Sequence, residues 1–145
     1  MTLDTSRRGF LKSAASIAAL TAGGCCNTWC GRGDKVRLAV VGVMGKGYTD
    51  WTYLLKTGRV QIVAFCDADY GMRQKAQLKL ASDGIDFDLY EVPFYTDYRK
   101  LLDNCGTLGV QAMTISTPDH VHAAVAVQAM KMGIHVYVQI GRAHV

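Results

Sequence analysis

A short β-branched run that leads directly into a glycine-rich turn is the feature that most restricts the fold of this chain. Residues 36–41 are Val-Arg-Leu-Ala-Val-Val, a sequence typical of a buried strand. Three glycines lie within Gly42–Gly47, and a helical stretch through Trp51 then ends at Gly58. A second apolar run, Val60–Cys66, follows. Strand, glycine turn, helix and strand together predict one βαβ unit of a parallel sheet.

The turn and the residue after the second strand have the chemistry of a dinucleotide site. Gly42 allows a sharp turn off the strand, and Gly47 allows the helix to approach the sheet closely. The first-turn amides of the helix would then point at a pyrophosphate, whose charge the helix dipole stabilises. Asp67 follows Gly47 by 20 residues, where a carboxylate binds the ribose 2′-hydroxyl and repels a 2′-phosphate. The sequence therefore favours NAD over NADP.

One position of the turn departs from the G-x-G-x-x-G pattern of such sites. Met44 stands where the second glycine lets the backbone approach the pyrophosphate, although Gly45 is its neighbour. The turn taken alone is therefore a weak indication of a ligand. Two alternatives remain: a glycine-rich turn without a ligand, and Asp67 or Asp69 acting only as a cap of the next helix.

The rest of the chain repeats the alternation of strands and helices. Helices are predicted over 69–81, 98–102 and 119–131, strands over 94–95, 110–115 and 135–138, and an irregular connection over 82–92. This alternation predicts an α/β fold, a Rossmann-like doubly wound parallel sheet of about five strands in the order 3-2-1-4-5. Ligands of such sheets bind at the carboxyl ends of the strands, where the strand order reverses. The turns after Val41 and Ile115 are therefore expected side by side.

Five segments together resemble the Gfo/Idh/MocA oxidoreductases. They are 36–47, Ala64–Asp69, Tyr95–Arg99, Thr114–His122 and His135–Gln139, and the most specific piece is Thr-Pro-Asp-His-Val-His at 117–122. The resemblance implies an NAD(P)-binding Rossmann domain over 36–139. The cofactor site that it implies, together with the glycine turn, consists of Gly42, Met44, Gly45, Lys46, Gly47, Asp67, Ser116, Thr117, Pro118, Asp119, His122 and Gln139. Among these residues, Ser116, Thr117, Pro118 and His122 are implied to border the nicotinamide half of the cofactor.

The remaining histidine and aromatic side chains in these segments are interpreted as structural. His120 is expected to face solvent at the start of a helix, and His135 to precede a buried strand. Tyr95, Tyr98 and Trp51 are expected to pack on the flank of the sheet rather than to stack on a base.

The first 24 residues have the pattern of a twin-arginine export signal. Arg7 and Arg8 precede Phe-Leu-Lys and a weakly apolar run of small residues over 13–24. The alternative is an amphipathic first helix, but the run has too few large apolar side chains to pack a core face. We therefore expect export to the periplasm, with residues 25–35 as a linker.

The cysteines and the charges exclude several other classes of site. Ala22–Cys25 resembles a lipoprotein cleavage box, so a lipid anchor at Cys25 and plain cleavage both remain open. Five cysteines without regular spacing indicate neither a structural zinc site nor a disulfide framework. Of the net charge of +4, the first 24 residues supply +2 and the other +2 is spread along the chain, without the basic cluster of a nucleic-acid-binding protein.

After Gln139 the chain departs from the family. Family members continue with Lys-Pro and a second domain, which contains the substrate pocket and the oligomer interface, and the lysine acts at the substrate site. Here residues 140–145 are Ile-Gly-Arg-Ala-His-Val, which is the translation of a widely used short-read sequencing adapter. We therefore expect a non-native tail over 140–145, no catalytic residue in this chain, and homo-oligomers only with the second domain.

The resemblance leaves three functions open. The favoured one is an exported NAD-dependent oxidoreductase that transfers a hydride to or from a sugar or polyol, of which this fragment alone would be inactive. The second is an NAD-dependent glycoside hydrolase on the same scaffold, although those enzymes tend to carry Trp where this chain has Asp119 and His120. The third is a nucleotide-binding module without catalysis.

Overall fold

Strands and helices alternate along residues 35–139, which are the residues that the computed structural model describes. They are β1 (Val36–Val41), α1 (Lys46–Lys56), β2 (Val60–Cys66), α2 (Gly71–Ser82), a 3₁₀ turn (Leu89–Glu91), β3 (Phe94–Tyr95), α3 (Tyr98–Leu108), β4 (Ala112–Ile115), α4 (Asp119–Lys131) and β5 (His135–Val138). The predicted export signal over 1–24, residues 25–34 of the linker with Cys25, and the tail over 140–145 lie outside the described residues. Within 35–139, none of the helices combines the length and the apolar character that crossing a membrane requires.

The strands form one parallel sheet in the order β3-β2-β1-β4-β5, which confirms the predicted order. At the end of β1, Val41 pairs with Cys66 of β2 on one side and with Ile115 of β4 on the other. The three central strands therefore end level with one another. The turns that follow them meet at one edge of the sheet, where ligands of this fold bind.

Helices cover both faces of the sheet because alternate side chains of a strand point to opposite faces. Ala39 and Val41 belong to a cluster with α3 and α4, whereas Leu38 and Val40 belong to a cluster with α1 and α2. Trp51 of α1 is fully buried in the second cluster, as expected for a residue on the flank of the sheet. Its ring meets those of Tyr48 and Phe65 edge to face, with centroids 5.3 Å apart in each pair. Tyr95 and Tyr98 pack against the first cluster.

The predicted bounds are wrong around α3 and β4. The helix does not end at Leu102 but continues to Leu108, because Cys105 is buried against the sheet and this packing outweighs the poor helix propensity of Gly106. Gly109, with φ of +60°, ends it in the left-handed conformation. The amide of Val110 then donates to the Cys105 carbonyl at 2.9 Å, so β4 begins at Ala112 instead of Val110.

The predicted start of α2 is also displaced. The Asp69 carboxylate accepts a hydrogen bond from the Gly71 amide at 2.7 Å, and the helix begins at Gly71 instead of Asp69. By contrast, α4 and β5 have the predicted bounds.

Candidate dinucleotide-binding site

The glycine turn after β1 packs directly against the turn after β4, as the sequence predicts. Gly42 has a φ of +90°, and a Cβ there would lie 2.6 Å from the Ser116 carbonyl oxygen. A Cβ on Gly47 would overlap the Gly42 carbonyl oxygen and lie 3.1 Å from the Ser116 Cβ. A side chain at either glycine would therefore push the two turns apart.

The two residues in the middle of the turn have different surroundings. Met44 is partly buried and packs against the core cluster that contains Trp51. Gly45 precedes α1 with a φ of +63°, and a Cβ there would face open space. The core thus accommodates the side chain of Met44, which departs from the glycine pattern. Gly45 leaves open space at the start of α1.

The Asp67 carboxylate lies beside the glycine turn. Its Oδ2 atom accepts a hydrogen bond from the Val43 amide at 3.0 Å, and its Oδ1 atom accepts one from the Asp69 amide at 3.2 Å. Each carboxylate oxygen can accept a further hydrogen bond, so Asp67 can still bind ribose hydroxyls. The helix-capping alternative does not apply to Asp67, because the carboxylate that accepts from the first residue of α2, Gly71, is that of Asp69.

A cleft of about 480 Å³ opens at the carboxyl ends of the strands, next to Asp67. Four of the predicted site residues line it: Gly42, Asp67, Thr117 and Pro118. The others do not line this cleft within the part of the chain that the structure describes: Met44, Gly45, Lys46, Gly47, Ser116, Asp119, His122 and Gln139. The exposed side chain of His120 lies at the cleft, so its predicted contact with solvent is confirmed.

One wall of the cleft consists of residues that the sequence reasoning did not assign to the site. They are Thr96, Asp97, Tyr98 and Arg99, which follow β3. Asp97 caps α3 by accepting from the Arg99 amide at 2.9 Å, and the Arg99 guanidinium lies 4.8 Å from the centre of the Tyr98 ring. Their position directly after a strand, inside one of the segments that carry the family resemblance, is the signal that could have found them.

Two polar atoms at the start of α4 are buried and have no hydrogen-bond partner among residues 35–139. They are Thr117 Oγ1 and His122 Nε2. The opposite ring nitrogen of His122, Nδ1, lies 3.8 Å from Asp119 Oδ1. A buried polar atom without a partner is costly, so these two atoms fit a site that a polar ligand completes.

Polar contacts on the β4 and β5 side of the turn involve three predicted site residues: Lys46, Ser116 and Gln139. The Lys46 ammonium lies 3.0 Å from Asp50 Oδ1, and the Ser116 hydroxyl donates to Asp50 Oδ2 at 3.5 Å. The side-chain amide of Gln139 donates through Nε2 to the Tyr137 hydroxyl at 3.2 Å.

Cys66 lines the cleft, and its thiol is not activated as a nucleophile. Burial, followed by the charges of Asp67 and Asp97, raises the pKa of the Cys66 thiol to about 12. A neutral thiol is a poor nucleophile at physiological pH. The cleft therefore offers binding groups and no activated thiol.

Three features define a dinucleotide-binding Rossmann domain: a parallel sheet of this strand order, a glycine turn against the start of a helix, and a carboxylate after β2. Residues 36–139 match the model of the Gfo/Idh/MocA family, described as an oxidoreductase family with an NAD-binding Rossmann fold. The chain belongs to the Gfo/Idh/MocA oxidoreductase family and contains its NAD-binding domain.

Individual relatives include both enzyme types that the sequence suggests. A glycosyl hydrolase family 109 protein of Stenotrophomonas maltophilia (strain K279a) is 31% identical over 138 residues, which cover 90% of this chain and 28% of that protein. The crystal structure of myo-inositol 2-dehydrogenase from Lactobacillus plantarum is 24% identical with a TM-score of 0.56, covering 72% of this chain and 28% of that one.

A third relative was solved with its cofactor. The WlbA dehydrogenase of Chromobacterium violaceum, in complex with NADH and UDP-GlcNAcA, is 18% identical with a TM-score of 0.57, covering 74% of this chain and 28% of that one. The two structural relatives share the fold with this chain. The chain spans about 28% of the length of each of these three relatives.

Proposed function

We propose that this chain is the cofactor-binding part of an exported oxidoreductase that uses NAD to oxidise or reduce a sugar or polyol. The observation that carries the proposal is the Asp67 carboxylate, held beside the glycine turn by the Val43 amide at 3.0 Å. A carboxylate at this place accepts hydrogen bonds from ribose hydroxyls and repels a 2′-phosphate. NAD is therefore the cofactor that we propose, in preference to NADP.

The chain's own residues have distinct binding roles in this proposal. The amides at the start of α1, where Gly45 is open, bind the pyrophosphate, because they carry the positive end of the helix dipole. The Thr117 hydroxyl and the His122 imidazole, which are buried at the start of α4, bind polar groups of the cofactor. When bound, NAD supplies the hydride acceptor or donor of the reaction.

The substrate class is proposed from the relatives. One structural relative is named a myo-inositol 2-dehydrogenase, and another was solved with a sugar nucleotide, UDP-GlcNAcA. The myo-inositol of the first name and the UDP-GlcNAcA of the second structure both carry secondary hydroxyl groups on a ring. A sugar or polyol with such a hydroxyl is therefore the substrate that we propose for the protein containing this chain.

A glycoside hydrolase is the second candidate function, and the 31% identity to a glycosyl hydrolase family 109 protein favours it. The two candidates differ in their products. An oxidoreductase produces one NADH for each sugar oxidised, whereas a hydrolase that uses NAD only transiently releases an aglycone without net NADH.

The experiment incubates the complete gene product with NAD and either free polyols or p-nitrophenyl glycosides. Accumulation of NADH with a polyol supports the oxidoreductase. Release of p-nitrophenol that requires NAD in substoichiometric amounts and proceeds without accumulation of NADH would assign the hydrolase function instead.

A further inference from the structure

Near the start of α1 lies a partly buried carboxylate, Asp50, that the predicted cofactor site does not include. Only 10% of its side chain is exposed. Its Oδ1 atom is 3.0 Å from the Lys46 ammonium, and its Oδ2 atom accepts from the Ser116 hydroxyl at 3.5 Å. Asp50 therefore connects the first residue of α1 to the turn after β4.

The contacts of Lys46 define the side of the glycine turn on which its ammonium lies. The hydrogen bond and the charge of Asp50 raise the pKa of Lys46, and the phenols of Tyr137 and Tyr53 add smaller contributions in the same direction. The Asp50 carboxylate that pairs with Lys46 also accepts from Ser116, which follows β4, so the ammonium lies on the β4 side of β1. Asp67, by contrast, lies at the end of β2, on the other side of β1.

A lysine beside a glycine turn would normally be attracted to a diphosphate. An ammonium on a flexible four-carbon stem can swing towards a nearby anion. Here 61% of the Lys46 side chain is exposed, so packing alone does not fix it. The partly buried Asp50 carboxylate is the group that the ammonium contacts.

We propose that Asp50 is a positioning residue that holds the Lys46 ammonium and the Ser116 hydroxyl on the β4 and β5 side of the turn. The diphosphate of the cofactor is then bound by the backbone amides of the turn and not by the Lys46 side chain. Lys46 remains part of the cofactor site through its backbone. This inference rests on the dinucleotide site proposed above.

The first experiment titrates the full chain with ADP-ribose, which contains the diphosphate and lacks the nicotinamide. Lys46→Met leaves the Asp50 charge unpaired and weakens binding less than about fivefold, the range of an exposed charge pair, whereas the control Lys56→Met at the other end of the helix changes the Kd less than about twofold. Asp50→Asn releases the ammonium and tightens ADP-ribose binding about two- to fivefold, the range that an exposed charge pair spans. The double variant lacks the released ammonium and returns to within about twofold of the parent chain.

Two results of this titration would overturn the proposal. A loss of more than about fivefold in Lys46→Met alone would show that the ammonium binds the diphosphate directly. An Asp50→Asn variant with unchanged affinity, or one whose gain persists in the double variant, would show that Asp50 does not restrain Lys46.

The second experiment does not depend on nucleotide binding, so it separates this proposal from the proposed function. Limited acetylation of the parent chain, read by peptide mass spectrometry, modifies Lys46 more slowly than Lys56, because an ammonium paired with a carboxylate is less often deprotonated. In Asp50→Asn the two rates become similar. Equal rates in the parent chain would contradict the positioning role even if the chain binds no nucleotide.

Discussion

The Asp67 carboxylate accepts a hydrogen bond from the Val43 amide at 3.0 Å, which connects the end of β2 to the glycine turn after β1. The carbonyl of the same valine accepts a hydrogen bond from the buried Trp51 indole, also at 3.0 Å. Val43 is therefore held from both sides, by the carboxyl edge of the sheet and by α1. A turn fixed before the ligand arrives lowers the entropic cost of binding.

Substitution of Gly42 tests the contact between the two turns. Gly42→Ala adds a Cβ that would lie 2.6 Å from the Ser116 carbonyl oxygen, at a φ of +90°. Gly58 has a similar φ of +69° with open space around it, so Gly58→Ala is the matched control for backbone strain alone. We expect Gly58→Ala to lower the free energy of unfolding by about 1 kcal/mol and Gly42→Ala to lower it by about 1–3 kcal/mol more. Urea denaturation measures both values. Equal losses of stability in the two variants would mean that the turns after β1 and β4 can move apart without a loss of free energy.

Thr117→Val tests whether the buried hydroxyl serves binding or folding. Thr117 Oγ1 has no hydrogen-bond partner among the described residues, so a methyl group in its place leaves stability unchanged or higher. NAD affinity falls about two- to tenfold, the value of one neutral hydrogen bond.

The control for this substitution is Thr52→Val, because the buried Thr52 hydroxyl donates to the Tyr48 carbonyl at 2.7 Å. That variant loses up to about 1 kcal/mol of stability and keeps its NAD affinity. A Thr117→Val variant that is destabilised and binds NAD normally would refute the binding role.

The hydrogen bond between Tyr48 and Asp83 predicts a loss of stability at high pH. The Tyr48 hydroxyl donates to Asp83 Oδ2 at 2.7 Å. Burial, followed by the hydrogen bond and charge of Asp83, raises the pKa of Tyr48 from 10.0 to about 12. Because the folded-state pKa is raised, this stabilisation is complete below pH 10.0 and is lost as the pH rises towards 12.

Tyr48→Phe retains the ring and removes the titrating group. We expect it to cost about 1 kcal/mol at neutral pH and to lose less stability than the parent chain between pH 10 and 12. Chemical denaturation at several pH values measures both effects. Identical pH profiles for parent and variant would show that Tyr48 does not titrate in this range.

Much of the fold could be predicted from the sequence because local and long-range signals agree. The apolar strands, the glycines between them and the alternation with helices all specify a parallel sheet, and the order β3-β2-β1-β4-β5 follows. The end of α3 could not be predicted, because Gly106 is a poor helix former and the packing of Cys105 and Leu108 against the core outweighs its low propensity.

Part of the candidate site could be predicted because some of its residues are required by the backbone itself. Gly42, Gly47 and Asp67 are defined by backbone constraints and spacing, which a sequence shows directly. The Lys46–Asp50 ion pair has the i, i+4 spacing of a helix and could have been predicted. By contrast, the contact of Asp50 with Ser116 and the position of Arg99 at the cleft depend on how separate elements pack. Side-chain neighbours across a sheet therefore needed the structure.

Export is a separate prediction that concerns residues outside the described range. Replacing Arg7 and Arg8 with lysine keeps the charge and removes the twin-arginine pattern, so we expect the precursor to remain in the cytoplasm. Cell fractionation and immunoblotting measure the distribution, with Lys12→Arg as the control. A double-lysine variant that reaches the periplasm at the normal level would contradict this interpretation.

Substitution of Asp67 tests the choice of cofactor. Asp67→Ala removes hydrogen bonds to ribose and a charge that repels a 2′-phosphate, so NAD affinity falls about tenfold or more and the difference between NAD and NADP narrows. Asp69→Asn is the control, because the Asp69 carboxylate accepts from the Gly71 amide of α2 and not from the glycine turn. We expect this control to retain the parent's preference for NAD.

Titration calorimetry of the parent chain with NAD and with NADP tests the central claim most directly. The Asp67 carboxylate beside the glycine turn predicts a lower Kd for NAD than for NADP, with the difference reduced in Asp67→Ala. Equal affinities of the parent chain for the two cofactors, or a preference for NADP, would contradict the assignment of Asp67 as the residue that selects NAD.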